Sequence, residues 1–271
     1  MSKLHDAFAT AKAENRAALV GYLPAGFPSV QGGIDALIAM VNNGVDIVEV
    51  GLPYSDPLMD GPVIQQAVTA ALEAGTKIPD VMATVAGVAA TGVPVLVMTY
   101  WNPIERYGVE RFATELAAAG GVGVITPDIT PEEADAWIAA TDAAGIERVF
   151  LVAPSSTDER VAKVVAVTNG FVYAASLMGV TGTRTSVSSG AADLVARTRA
   201  ATDLPVAVGL GVSTPEQAAT VAQYADGVIV GSAFVRTLID AATPEAGVAA
   251  AGQLAAALAQ GVRATASEVN A

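Results

Sequence analysis

The chain has 271 residues, with 14 Lys and Arg against 27 Asp and Glu, a formal charge of −13. That balance excludes a basic nucleic-acid surface and argues against an anionic membrane as partner. With no Cys and a single histidine, His5, disulfides, thiol nucleophiles, Fe–S clusters and histidine or thiolate metal sites are excluded as well.

Apolar residues make up 52% of the chain and charged residues 15%, enough to fill a large core. The opening stretch carries Lys3, His5, Asp6 and Lys12 before any apolar run, so no signal peptide is expected. Short, mainly apolar runs without regular alternation then recur at 18–23, 46–50, 95–99, 122–126, 148–152, 171–175, 206–208 and 227–230. Strands buried on both faces read in this way. Each run is followed by Ala-rich helical sequence, the pattern of a parallel βα array. The stretch 81–104 is uncharged and long enough to span a bilayer. Gly87, Gly92 and Pro94 divide it into a helix, a turn and a buried strand, and Trp101-Asn102-Pro103 ends it. A soluble, cytoplasmic protein is the expectation.

Helix starts support this reading. Thr130-Pro-Glu-Glu133 and Thr214-Pro-Glu-Gln217 each offer a Thr N-cap, a Pro at the first helical position and an acid or amide at the third. Gly44, Gly92, Gly120 and Gly145 fall between helix ends and strand starts, where left-handed caps are common. No composition shift divides the chain. A single (β/α)8 barrel over residues 1–271 is predicted; a doubly wound sheet of about eight strands is the alternative.

In a barrel the loops after the strands form the active face. Glu49 lies in the second run, on the face shared with Ile47. Two readings fit it: a side chain that escapes to the rim or pairs with an Arg, or a carboxyl in a partly apolar cavity able to exchange protons near neutrality. The loop after it, 51–62, is long for a βα connection and holds Pro53, Pro57, Pro62, Asp56 and Asp60. Turn chemistry accounts for Asp56-Pro57 and Asp60-Gly61 as well as function does.

The sixth run leads into 175–186, with Gly179, Gly182, several hydroxyls and Arg184, which reads as a mobile lid. The seventh ends in Gly209-Leu-Gly211-Val-Ser213. The eighth ends in Val230-Gly231-Ser232 and runs straight into a helix. Glycines at both strand ends let amides approach an anion, and the helix dipole favours it, so a phosphate site after strands 7 and 8 is predicted.

The segment Val48-Glu-Val-Gly-Leu-Pro-Tyr-Ser-Asp-Pro-Leu-Met-Asp-Gly-Pro-Val-Ile-Gln65 resembles the signature loop of the tryptophan synthase α-subunit family. The likeness extends over nearly the whole chain, through 22–28, Tyr100-Trp-Asn102-Pro103, Pro127-Asp128, 176–182 and Gly231-Ser232. It implies a lyase that cleaves indole-3-glycerol phosphate to indole and glyceraldehyde 3-phosphate in tryptophan biosynthesis. It also implies a β-subunit partner in an α-β-β-α tetramer, with pyridoxal phosphate in the partner and no cofactor or metal in this chain.

By that resemblance Glu49 and Asp60 are the catalytic carboxylates. Gly211, Gly231 and Ser232, with Gly182 from the lid, match phosphate-binding positions. Tyr22, Leu151, Tyr173 and Leu210 match positions contacting the indole or glycerol moiety. Thr181 matches the lid residue that meets Asp60 on closure, and Asp56, Pro57 and Asn102 match positions facing the partner. Met59, where a small residue is common, and Leu177-Met178, in place of more polar lid residues, depart from the family pattern. Two competing readings stand beside the lyase: another phosphate-binding barrel, such as an isomerase or prenyltransferase, and a non-catalytic regulator that only docks on a β subunit.

Overall fold

A computed structural model of the chain describes residues 2–175, 187–209 and 211–263. Helix α1 (Lys3–Ala13) precedes β1 (Ala18–Pro24), α2 (Val30–Asn42) and β2 (Ile47–Gly51). Then follow α3 (Pro62–Glu73), α4 (Ile78–Ala89), β3 (Val95–Met98), α5 (Trp101–Tyr107) and α6 (Val109–Ala118). The next elements are β4 (Gly123–Ile125), a 3-10 turn (Pro131–Glu133), α7 (Asp135–Ala144), β5 (Glu147–Val149) and β6 (Leu151–Val152). The chain continues through α8 (Asp158–Val167), β7 (Val172–Ala175), α9 (Val187–Arg199) and β8 (Val206–Gly209). It ends with α10 (Pro215–Ala222), β9 (Gly227–Val230), α11 (Ser232–Ile239) and α12 (Pro244–Gly261).

The strands lie in the order β5-β4-β3-β2-β1-β9-β8-β7-β6, and every neighbouring pair is parallel. The two ends of that row, β5 and β6, are consecutive in the chain and separated only by Phe150. The predicted fifth strand, 148–152, is therefore two short strands. Its first half pairs with β4 and its second with β7, and the row closes into a barrel through that one interrupted run. The open-sheet alternative falls away, because a doubly wound sheet has two free edges.

Alternation sorts the side chains into two layers. Val20, Ile47, Leu96, Ile125, Phe171 and Ile229 pack inside the barrel, and α1 closes its N-terminal end with Leu4 and Phe8. Val48, Val50 and Val97 point the other way, into the layer under the helices. Each such side chain buried from water contributes roughly 1.5–3 kcal/mol. Among the described residues, no helix is long and apolar enough to cross a membrane.

Local expectations fare unevenly. Thr214 caps α10 as predicted, in a reciprocal box with Gln217, and Gly44, Gly92, Gly120 and Gly145 all have positive φ. Thr130 does not cap a helix: its hydroxyl donates to the Glu133 carboxylate, 3.0 Å away, and a 3-10 turn intervenes before α7. Asp46 lies just before β2. Its carboxylate takes two bonds from Arg16, at 2.6 and 2.9 Å, and the Leu19 amide at 2.8 Å. Trp101-Asn102-Pro103 opens a helix rather than ending a segment, since Pro103 sits in the first turn of α5, where a missing N–H costs nothing.

Candidate active site

The C-terminal end of the barrel gathers most of the predicted residues. In the register of β1 and β2, Tyr22 stands beside Glu49. Glu49 follows Ile47 on the inward face and is only 3% exposed. The escape to the rim is thereby ruled out. Its Oε2 is buried and has no hydrogen-bond partner among the described residues. Loss of hydration, reinforced by the negative charge of Asp60, pushes the Glu49 carboxyl up to about 8. A carboxyl in that range can give and take protons near neutral pH.

Asp60 closes the loop after β2 and is half-buried. Its backbone carbonyl accepts a bond from the Gln65 side-chain amide at 2.7 Å. Its carboxylate accepts the Tyr100 hydroxyl at 3.2 Å. Burial raises its pKa, and the Tyr100 hydrogen bond opposes that rise. Tyr22 and Tyr173 are held neutral: burial pushes both phenols up, with the carboxylates adding to it.

Two glycines make room for these rings. A Cβ at Gly51 would collide with the Tyr22 hydroxyl, and one at Gly209 with the Tyr173 hydroxyl. Leu151 is the register partner of Tyr173 and packs against the inner cluster. The barrel mouth is thus lined by two carboxyls and three phenols within electrostatic reach of one another.

The predicted anion site lies alongside. Gly211 has φ +68, a conformation that costs other residues roughly 1–2 kcal/mol. Ser232 is the first residue of α11, and Gly231 provides no side-chain cap, so among the described residues no side chain caps the opening of this helix. A Cβ on Gly231 would come within 3.2 Å of the Tyr22 ring, which places this helix start at the same mouth. Thr181, Gly182 and Leu210, and with them the segment expected to be a lid, lie outside the described residues.

The expected partner-facing residues form a separate outer patch. Asp56 and Asn102 are exposed and Pro57 partly so. The Asn102 side-chain amide donates to the Tyr54 hydroxyl at 2.9 Å. Tyr54, Asp56, Lys77 and Asn102 share a groove of about 550 Å³ between the β2–α3 loop and the starts of α4 and α5. Sequence reasoning assigned no role to Tyr100, which is 2% exposed and touches Asp60 directly. Its signals were its place just after a predicted strand and its membership of the Tyr100-Trp-Asn102-Pro103 segment, neither of which pointed to Asp60.

A family model described as Tryptophan synthase alpha chain matches residues 8–263. The chain is 61% identical to the Tryptophan synthase alpha chain of Thermobifida fusca (strain YX) over 269 residues, 98% of this chain and 100% of that one. It is also 61% identical to the Streptomyces coelicolor protein of the same description, over 96% of each chain. Among solved structures, a crystal structure of tryptophan synthase from M. tuberculosis matches with a TM-score of 0.90 and 50% identity, covering 98% of this chain and 100% of that one. The alpha subunit from Legionella pneumophila str. Paris matches with a TM-score of 0.87 at 33% identity, over 97% and 98%.

Proposed function

The chain belongs to the tryptophan synthase alpha chain family, and on that premise we propose that Glu49 and Asp60 carry its chemistry. The reaction is the lyase cleavage of indole-3-glycerol phosphate to indole and glyceraldehyde 3-phosphate, in tryptophan biosynthesis. Family membership sets aside the isomerase and prenyltransferase readings.

Breaking the bond between indole C3 and the glycerol carbon requires three things. C3 must be protonated, the positive charge that this places on the ring nitrogen must be stabilised, and the glycerol hydroxyl must lose its proton. Glu49 delivers a proton to C3 and takes one from the hydroxyl. As the new carbonyl forms, the electrons of the breaking bond return to the indole ring. Asp60 accepts a hydrogen bond from the indole N–H and stays ionised to hold the cationic tautomer. Two carboxyls whose surroundings set different protonation states are suited to such a division of labour.

Tyr22, Leu151, Tyr173 and Leu210 enclose the organic part of the substrate. The amides at Gly211, Gly231 and Ser232, with Gly182, hold its phosphate, and that remote binding serves orientation. Thr181 is the residue that this reading pairs with Asp60.

The observation that carries this reading is the Glu49 carboxyl: buried at the barrel mouth, pushed up to about 8, with Oε2 unpartnered among the described residues. The experiment is indole release from indole-3-glycerol phosphate by the chain and by Glu49→Gln. Wild-type turnover in that variant rejects the assignment, and no turnover in the unaltered chain favours the non-catalytic regulator.

The same reading takes residues 1–271 as one barrel domain acting in the cytoplasm. Membership implies a β-subunit partner. Asp56, Pro57 and Asn102 face it, the assembly is an α-β-β-α tetramer, and pyridoxal phosphate belongs to the β subunit.

A further inference from the structure

We propose that Tyr100 is a positioning residue for the lyase reaction: its hydroxyl, fixed by the Met59 amide, aims the Asp60 carboxylate at the indole nitrogen. This rests on the role given to Asp60 above.

The argument begins with the direction of the hydrogen bonds. The Met59 N–H lies 3.0 Å from the Tyr100 hydroxyl oxygen. An amide N–H can only donate, so the phenol oxygen accepts there and keeps its one proton for another partner. That partner is Asp60 Oδ1, 3.2 Å away. The bond therefore runs from phenol to carboxylate and matches an ionised Asp60.

Tyr100 is N-terminal to α5 and almost fully buried, and its ring packs 5.5 Å from that of Tyr54. Its own ionisation is pushed up to about 12, chiefly by burial, so it remains a donor at any pH suited to an assay. The Gln65 side chain pins the backbone carbonyl of Asp60, and Tyr100 pins one carboxylate oxygen. Among the described residues nothing bonds the second carboxylate oxygen, which suits it to the substrate N–H.

The charged and titratable groups around Asp60 are Glu49 on β2, Tyr22 on β1 and Tyr100 itself; Tyr173 on β7 faces Glu49. Of these, Tyr100 is the donor that favours the ionised form of Asp60, and it works against the effect of burial. Removing the hydroxyl leaves burial unopposed, so Asp60 takes up a proton at higher pH.

The test compares indole release from indole-3-glycerol phosphate by wild type, Tyr100→Phe, Asp60→Asn and the double variant, each as a pH profile, with melting curves for fold integrity. Loss of a hydrogen bond to a charged group predicts a fall of about tenfold or more in kcat for Tyr100→Phe, with KM much less affected. Its acidic limb should move to higher pH, and the double variant should be no slower than Asp60→Asn alone. A merely structural role would leave the acidic limb in place. An unshifted limb in Tyr100→Phe, or additive losses in the double variant, overturns the proposal. Near-wild-type turnover by Asp60→Asn overturns the Asp60 assignment beneath it.

Discussion

Glu49 carries opposing demands on one side chain. Its burial raises the carboxyl from 4.5 to about 8, which suits proton exchange and burdens the fold. Glu49→Gln keeps the shape and removes the titrating proton, so turnover should fall by roughly 10²–10⁴-fold while substrate binding persists; indole release and ligand titration check the two halves. The stability effect has a definite sign. The folded state holds the Glu49 proton to higher pH than the unfolded chain does, so the wild type loses stability as pH rises from about 4.5 to about 8. Glutamine has no such loss. The melting temperature of Glu49→Gln should match wild type below that window, gain on it steadily through the window, and keep a constant lead above it. A lead of the same size at every pH would show that desolvation of this carboxylate is not the cause. Glu49 was legible in the sequence as a charge inside an apolar run, and the barrel shows that its face is the inward one. Tyr100 was not, because a buried aromatic ring ordinarily means packing, and only the bonds to Asp60 and Met59 set it apart.

At the scale of elements, each apolar run became strand, and the glycine and Thr-Pro signals marked most boundaries, because strands buried on both faces need little tertiary context to be recognised. Two of the failures share a cause. The interruption of 148–152 at Phe150 comes from barrel closure, which asks one run to pair with two different neighbours. The helix at Trp101 is started by the Asp128 carboxylate, which takes the Trp101 amide at 2.8 Å across 27 residues of chain. Neither is a local property of the sequence. The helix α11 was legible as a strand running directly into a helix, and it yields a sharp expectation. Gly231→Asp adds a side chain against the Tyr22 ring and a negative charge at the helix start proposed to hold the phosphate. KM for indole-3-glycerol phosphate should rise at least about tenfold, as expected from losing the dipole and amide contribution to a partly buried anion. Steady-state kinetics decide it, and an unchanged KM would place the phosphate elsewhere.

At the scale of the whole molecule, the −13 charge means that a phosphorylated substrate approaches against the net field, so local amide dipoles must outweigh it at the barrel mouth. The composition could not locate a docking surface, because exposure is decided by the fold. Among the described residues, the large apolar side chains left most exposed are Leu58 at 74% and Met59 at 50%. Both lie in the loop that also carries Asp56, Pro57 and Asp60, and the Met59 amide is bonded to the hydroxyl that holds Asp60. One short segment thus joins an apolar outer surface to the carboxylate proposed to act on the indole nitrogen. A β subunit that buries Leu58 and Met59 gains hydrophobic contact, and it can activate the chain only if it binds the competent loop arrangement more tightly than the others. Leu58→Ser removes most of that apolar contact while leaving Asp60 and its partners in place. Burying a leucine contributes roughly 1.5–3 kcal/mol, so half-maximal activation of indole formation should need about tenfold more β subunit. Titrating β subunit against indole release for both forms measures this directly. Superimposable titration curves would put the partner's contact on another face, and the link from partner to Asp60 would then have to run by a route other than this loop.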